Sequence, residues 1–206
     1  MHSTQTLNSS QRKLVMEATD SNHRYGSIAR GFHWTIFTLF LFQFVIAIVM
    51  NGVASKDYYP AALFVTHKSM GVTLFFLALA RLAWRKRNPL PPWPDSMSAF
   101  EKKAFKFLET GLYAVMLLMP LFGYVYSMAG GHGFKFFGLF EVPDLIGKSA
   151  VLHEIGKYAH RITAFIIVAF VTAHVSLILR RHFDSRENFL GRMCSVTKNE
   201  PPAASK

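Results

Sequence analysis

Four of the nine histidines lie within or at the ends of long apolar runs: His33, His67, His160 and His174. An imidazole among lipid-compatible residues is costly unless its nitrogens find partners. It is also a good ligand for iron, copper and zinc. His160 and His174 are fourteen residues apart. On a helix that is a rise of about 21 Å and a rotation of about 1400°, within about 40° of the starting azimuth. Both rings therefore leave one helix on one face, near opposite ends of a span.

The elements that must carry these rings are apolar runs at residues 32–53, 63–84, 111–129 and 159–179. About twenty such residues cross a hydrocarbon core roughly 30 Å thick. The chain has 206 residues, 51% of them hydrophobic, and no internal repeat. It reads as one all-α domain, a four-helix transmembrane bundle. The third run contains Pro120, which a membrane helix tolerates if neighbours satisfy the freed backbone. The first run is too long and starts too deep to be the core of a cleavable signal.

The net charge of +11 does not point to nucleic acid. The N-terminal stretch, the middle loop and the C-terminal stretch hold 17 of the 23 Lys and Arg residues. That asymmetry places both termini in the cytoplasm and favours contact with anionic lipid. A single cysteine, Cys194, excludes a disulfide framework or an iron–sulfur ligand set within the chain, and no C-x-x-C-H attaches haem covalently.

With this topology the histidines sort by depth. Span one runs outward and puts His33 near the cytoplasm. Span two runs inward and puts His67 near the outside. Span four runs inward, so His160 is outer and His174 inner. The levels allow one partition, His33 with His174 and His67 with His160. Two cross-helix imidazole pairs at two depths suit two bis-histidine haems, whose irons are closed to substrate and suited to electron transfer. His153, seven residues before His160, is the rival for the outer position. His160 is preferred for its register with His174 and because residue 153 is expected above the membrane. His2, His23, His132 and His182 lie outside the spans and are assigned no site role.

Several cations share these levels. Arg81 lies fourteen residues after His67. It suits a propionate of the inner haem or a snorkelling position at the membrane boundary. Lys68 and Arg161 each follow an outer histidine. They suit outer propionates, a quinone carbonyl or an anionic substrate, or serve as interfacial cations. Gly71 and Gly123 are expected to admit a porphyrin or to serve ordinary helix packing.

Residues 1–22 are expected to form a mobile polar tail, 23–193 the membrane domain and 194–206 a C-terminal tail. Ser98 followed by Glu101 is a capping-box signal, so the third helix is expected to start near Ala99. The Gly- and Phe-rich loop at 129–145 is expected at the outer interface.

The stretches RYGSIARGFHW, THKSMGVTLFFLALARLAWR and HRITAFIIVAFVTAH, followed by RRHF and FLGRM, resemble the bacterial cytochrome b561 family over residues 24–193. The resemblance implies a multi-pass inner-membrane protein with two haem b groups. It places the axial ligands on His33, His67, His160 and His174, and makes ubiquinone the exchangeable partner. The chain departs from the pattern by its longer N-terminal tail and the extra His153. Three activities follow from the resemblance. One is electron transfer between the quinone pool and a periplasmic redox partner. Another is a superoxide:ubiquinone oxidoreductase. The third is a haem-bearing anchor subunit for a separate dehydrogenase. A colourless histidine-based proton relay or metal transporter is the alternative without haem.

Overall fold

A computed structural model describes residues 24–55, 58–88, 90–184 and 189–194. Nearly all of the expected tails, 1–22 and 194–206, lie outside the described residues. Four helices dominate: α1 (Ser27–Val53), α2 (Ala61–Arg87), α3 (Ala99–Ala129) and α4 (Ala150–Asp184). Each is long and apolar enough to cross a membrane. At about 1.5 Å per residue, α4 with its 35 residues extends beyond a hydrocarbon core roughly 30 Å thick. Large apolar side chains such as Ile48, Phe76 and Phe165 point outward, as a lipid-facing surface requires. The all-α membrane bundle expected from the hydropathy is the fold observed.

The start of α3 follows its local sequence. Ser98 Oγ accepts from the Glu101 backbone N–H at 3.2 Å, and the Ser98 N–H donates to the Glu101 carboxylate at 2.9 Å. Both halves of the capping box are therefore made. Pro120 sits inside the same continuous helix.

The helices pack in chain order, α1 on α2, α2 on α3 and α3 on α4. Among the described residues, neither α1 nor α2 brings a Cα atom within 8 Å of α4. The bundle is thus open between its first two helices and its last. The α3–α4 seam is its tightest part. A Cβ placed on Gly156 of α4 would lie 2.6 Å from the Tyr126 backbone nitrogen of α3. Lipid offers no hydrophobic gain for helix association, so such close approach is a main source of packing energy. Arg85 of α2 pairs with Glu109 of α3, and Arg181 of α4 with Glu101.

Both described chain ends meet at one end of the bundle. A 3-10 turn at Leu190–Arg192 takes a hydrogen bond from the Tyr25 N–H at 3.1 Å. The Arg192 side chain donates to the carbonyls of Pro91 and Pro92. At the opposite, loop end, residues 135–141 form a short antiparallel hairpin of β1 (Lys135–Phe136) and β2 (Phe140–Glu141). It is anchored to α2 by the Phe137 N–H, which donates to the fully buried Ser69 hydroxyl at 2.8 Å. The Gly- and Phe-rich loop therefore contains a built turn.

Substituting Gly156→Ala is expected to cost about 1–3 kcal/mol, since backbone rather than a flexible side chain opposes the added carbon. Gly31→Ala meets nothing within 4 Å and is expected to stabilise its helix by about 0.5–1 kcal/mol. Thermal unfolding in detergent should move in opposite directions for the two variants.

Candidate functional site

The opening between α2 and α4 is where His67 and His160 meet. Their ring centroids are 6.2 Å apart and their planes nearly perpendicular at 84°. Each ring is held from its own side. His160 Nδ1 lies 3.0 Å from the Met119 carbonyl of α3, one residue before Pro120. A Cβ on Gly123 would fall 3.1 Å from the same ring. That glycine therefore leaves room for the imidazole itself. The His67 backbone carbonyl accepts from the buried Gln43 amide at 2.7 Å. The His67 Nδ1 is buried with no hydrogen-bond partner among the described residues.

A cavity of about 490 Å³ opens beside this pair, within the range of small-molecule and cofactor sites. His67 and His160 line it together with Gly71, Lys68, Arg161 and several phenylalanines. Lys68 Nζ donates to the His132 carbonyl at 2.8 Å and stands over the Phe134 ring.

At the other level, the Arg81 guanidinium lies 3.1 Å from His33 Nδ1 and over the Tyr113 ring. Its charge acts on both His33 and His174, which are themselves electrostatic neighbours. Arg81 thus turns inward onto an imidazole rather than outward to the membrane boundary. A guanidinium only donates, so His33 Nδ1 is the acceptor in this arrangement. The His174 Nδ1 is buried without a partner among the described residues. Arg85 covers the other part of the Tyr113 environment and is fixed by Glu109.

The rival His153 is elsewhere. Its Nδ1 lies 3.0 Å from the Tyr126 carbonyl, its ring packs on Tyr126 and faces His132, and it does not line the cavity. Sequence reasoning overlooked His132, which reaches the cavity wall from the loop. Nothing in its loop position signals that. It also overlooked Gln43, an amide in an apolar span, which the cost of a buried polar group could have flagged.

The residues fit a bis-imidazole iron at the outer level. With metal–nitrogen distances of about 2.0–2.1 Å, two imidazoles on one metal have centroids about 6.3 Å apart. The carbonyl that orients His160 is the outer-shell partner such ligands use. Residues 24–195 match the family model described as prokaryotic cytochrome b561.

The chain belongs to the prokaryotic cytochrome b561 family.

Membership makes it a b-type cytochrome of electron transfer, a multi-pass protein of the bacterial inner membrane that works with redox partners. Among named relatives, Cytochrome b561 homolog 2 of Escherichia coli K12 is 26% identical over 90% of this chain and 98% of its own. Cytochrome b561 homolog 1 of the same organism is 27% identical over 62% of this chain and 72% of its own. Probable superoxide oxidase CybB of Yersinia pestis is 23% identical over 82% of this chain and 95% of its own.

In this b561-family chain, Gly123→Val is expected to displace the His160 ring and lower bound b haem per chain. Gly123→Ala should do so less, because a single carbon 3.1 Å away asks the ring to give only a few tenths of an ångström. Reduced-minus-oxidised difference spectra on purified protein measure both.

Proposed function

We propose that this cytochrome carries two b haems and moves electrons across the membrane between the quinone pool and a redox partner at the loop end. His33 and His174 hold one haem at the terminal end, and His67 and His160 the other at the loop end. The observation that carries this reading is the facing of His67 and His160 across helices whose backbones do not otherwise touch. A b haem with two axial imidazoles supplies a one-electron carrier with no open iron position. The protein's part is to hold the rings and screen the charge. Met119 orients His160, and the apolar spans exclude water. Arg81, which lies 3.1 Å from His33 Nδ1, would supply positive charge for a haem carboxylate at that level, and His33 Nδ1 would then be free to hold its own proton. The basic excess of the N-terminal, middle-loop and C-terminal stretches supports an orientation with the terminal end in the cytoplasm and the loop end in the periplasm.

A second reading is superoxide:ubiquinone oxidoreductase activity. The cationic side chains of Lys68, Lys157 and Arg161 on the cavity wall favour it, as does the likeness to the Yersinia pestis protein. Superoxide would give up one electron and leave as dioxygen, and two such electrons with two protons would reduce one quinone to quinol. Rapid haem reduction by superoxide, followed by quinone-dependent reoxidation, separates this reading from electron exchange with a protein partner.

Haem quantitation decides the ligand set. Two b haems per chain are expected. His33→Ala and His174→Ala should each lose the same haem, and His67→Ala and His160→Ala should each lose the other. One haem per chain overturns the proposal. Loss of a haem in His153→Ala, with both kept in His160→Ala, overturns the outer assignment.

A further inference from the structure

The arrangement around His160 recurs one heptad nearer the loop end. His160 Nδ1 lies 3.0 Å from the Met119 carbonyl, and His153 Nδ1 lies 3.0 Å from the Tyr126 carbonyl. The helices are antiparallel, so seven residues back on α4 matches seven forward on α3. His160 faces His67 with centroids 6.2 Å apart, and His153 faces His132 with centroids also 6.2 Å apart. Gly123 lies against the His160 ring, and Gly130, seven residues on, lies against both His153 and His132. A Cβ on Gly130 would come within 2.5 Å of His153 and 2.8 Å of His132. Any side chain there would drive the two rings from their positions.

Both rings stand on fixed backbone. The His132 N–H donates to the Ser127 carbonyl at 2.9 Å. Its carbonyl accepts from the Ser127 hydroxyl at 2.5 Å and from Lys68 Nζ at 2.8 Å. His153 lies in the first turn of α4, where its N–H donates to the Ser149 carbonyl at 2.9 Å. The carbonyl bond at His153 Nδ1 assigns the ring proton to that nitrogen and leaves Nε2 with a lone pair. Packing of His153 on Tyr126, with centroids 4.8 Å apart, accounts for one ring. It does not account for a second imidazole brought to the same glycine.

The surroundings set the class of ligand. His153 does not line the large cavity, although His132 does. His132 is exposed and His153 half-buried, so solvent reaches both. Among the described residues no third His, Cys, Asp or Glu completes a cluster. Glu154, the neighbouring carboxylate, is paired with Lys157. Two imidazoles with water in the remaining positions suit a divalent transition-metal ion, and the affinity order puts copper(II) first.

We propose that His132 and His153 form a second bis-imidazole site at the loop end, which takes one copper(II) ion held exchangeably. The site lies about 10.5 Å along α4 from His160, at about 1.5 Å per residue, and is separate from the haem ligand set.

The test is a copper(II) titration of the full-length, tag-free, haem-loaded protein in detergent, followed by electron paramagnetic resonance. One copper per chain is expected, with hyperfine structure from two nitrogens. His132→Ala and His153→Ala should each weaken this copper at least tenfold, and His153→Ala should leave the haem content and b-type spectrum unchanged. Gly130→Val, which crowds both rings, should weaken it too. His2→Ala and His23→Ala, in the N-terminal stretch, should leave it in place. Copper binding that survives both His132→Ala and His153→Ala, or that disappears with His2→Ala, overturns the proposal. So does the absence of any copper bound at micromolar concentration. Loss of haem in His153→Ala overturns it as well, because His153 would then be a haem ligand.

Discussion

An imidazole inside a membrane helix is costly to leave with bare nitrogens, and that requirement constrains the architecture: His33 and His160 have partners at Nδ1, while the buried Nδ1 atoms of His67 and His174 have none among the described residues. The helices that carry the histidines cannot satisfy it by packing closely on one another, because α4 keeps its backbone away from α1 and α2. Their rings must meet across a space. α3 makes this possible. It packs against α4 through Gly156 and Tyr126 and lends its Met119 carbonyl to His160. It also pairs with α2 through Glu109 and Arg85. With lipid on the outside there is little hydrophobic gain for association. These small-residue contacts and polar bonds therefore fix the width of the opening.

Depth was legible in the sequence, and azimuth was not. Residue number converts to height along a helix at a fixed rise, so the sorting of histidines into two levels needed only the spans and their directions. The facing of His67 and His160 agrees with it. Which way Arg81 points depends on Tyr113 and His33, two residues of other helices, and no local pattern encodes that. That Gly123 lies against the His160 ring was not legible for the same reason. Helix ends were legible where the signal was chemical, as at Ser98 and Glu101, and not where it was hydropathic. α4 begins at Ala150, nine residues before its apolar run. His153, Glu154 and Lys157 lower hydropathy without opposing helix formation.

The two ends of the bundle differ in openness. At the terminal end, side chains are tied to carbonyls and carboxylates: Arg192 to Pro91 and Pro92, Arg181 to Glu101, Arg24 to the Cys194 carbonyl. Met97, Phe105 and Phe189 fill the space beneath. At the loop end a cavity reaches the outer histidine pair, with Lys68 and Arg161 on its wall. The imidazole pair at the loop end is therefore less enclosed than the packed terminal end. The hairpin at this end is anchored on Ser69.

Heptad spacing on α4 explains how one helix serves more than one level. His153, His160 and His174 all fall on a single seven-residue register, and the missing member of the series is Ile167. Seven residues return a helix to within about 20° of the same azimuth, so these four side chains form one column. Ile167 is only 1% exposed and is among the largest fully buried side chains. An apolar residue there is required on physical grounds. A polar group between the two levels would need its own partner in the driest part of the bundle, and a small one would leave a void that neither pair could fill. The column therefore carries imidazoles at three heights, two of them held by α3 carbonyls, and a packed aliphatic chain at the fourth.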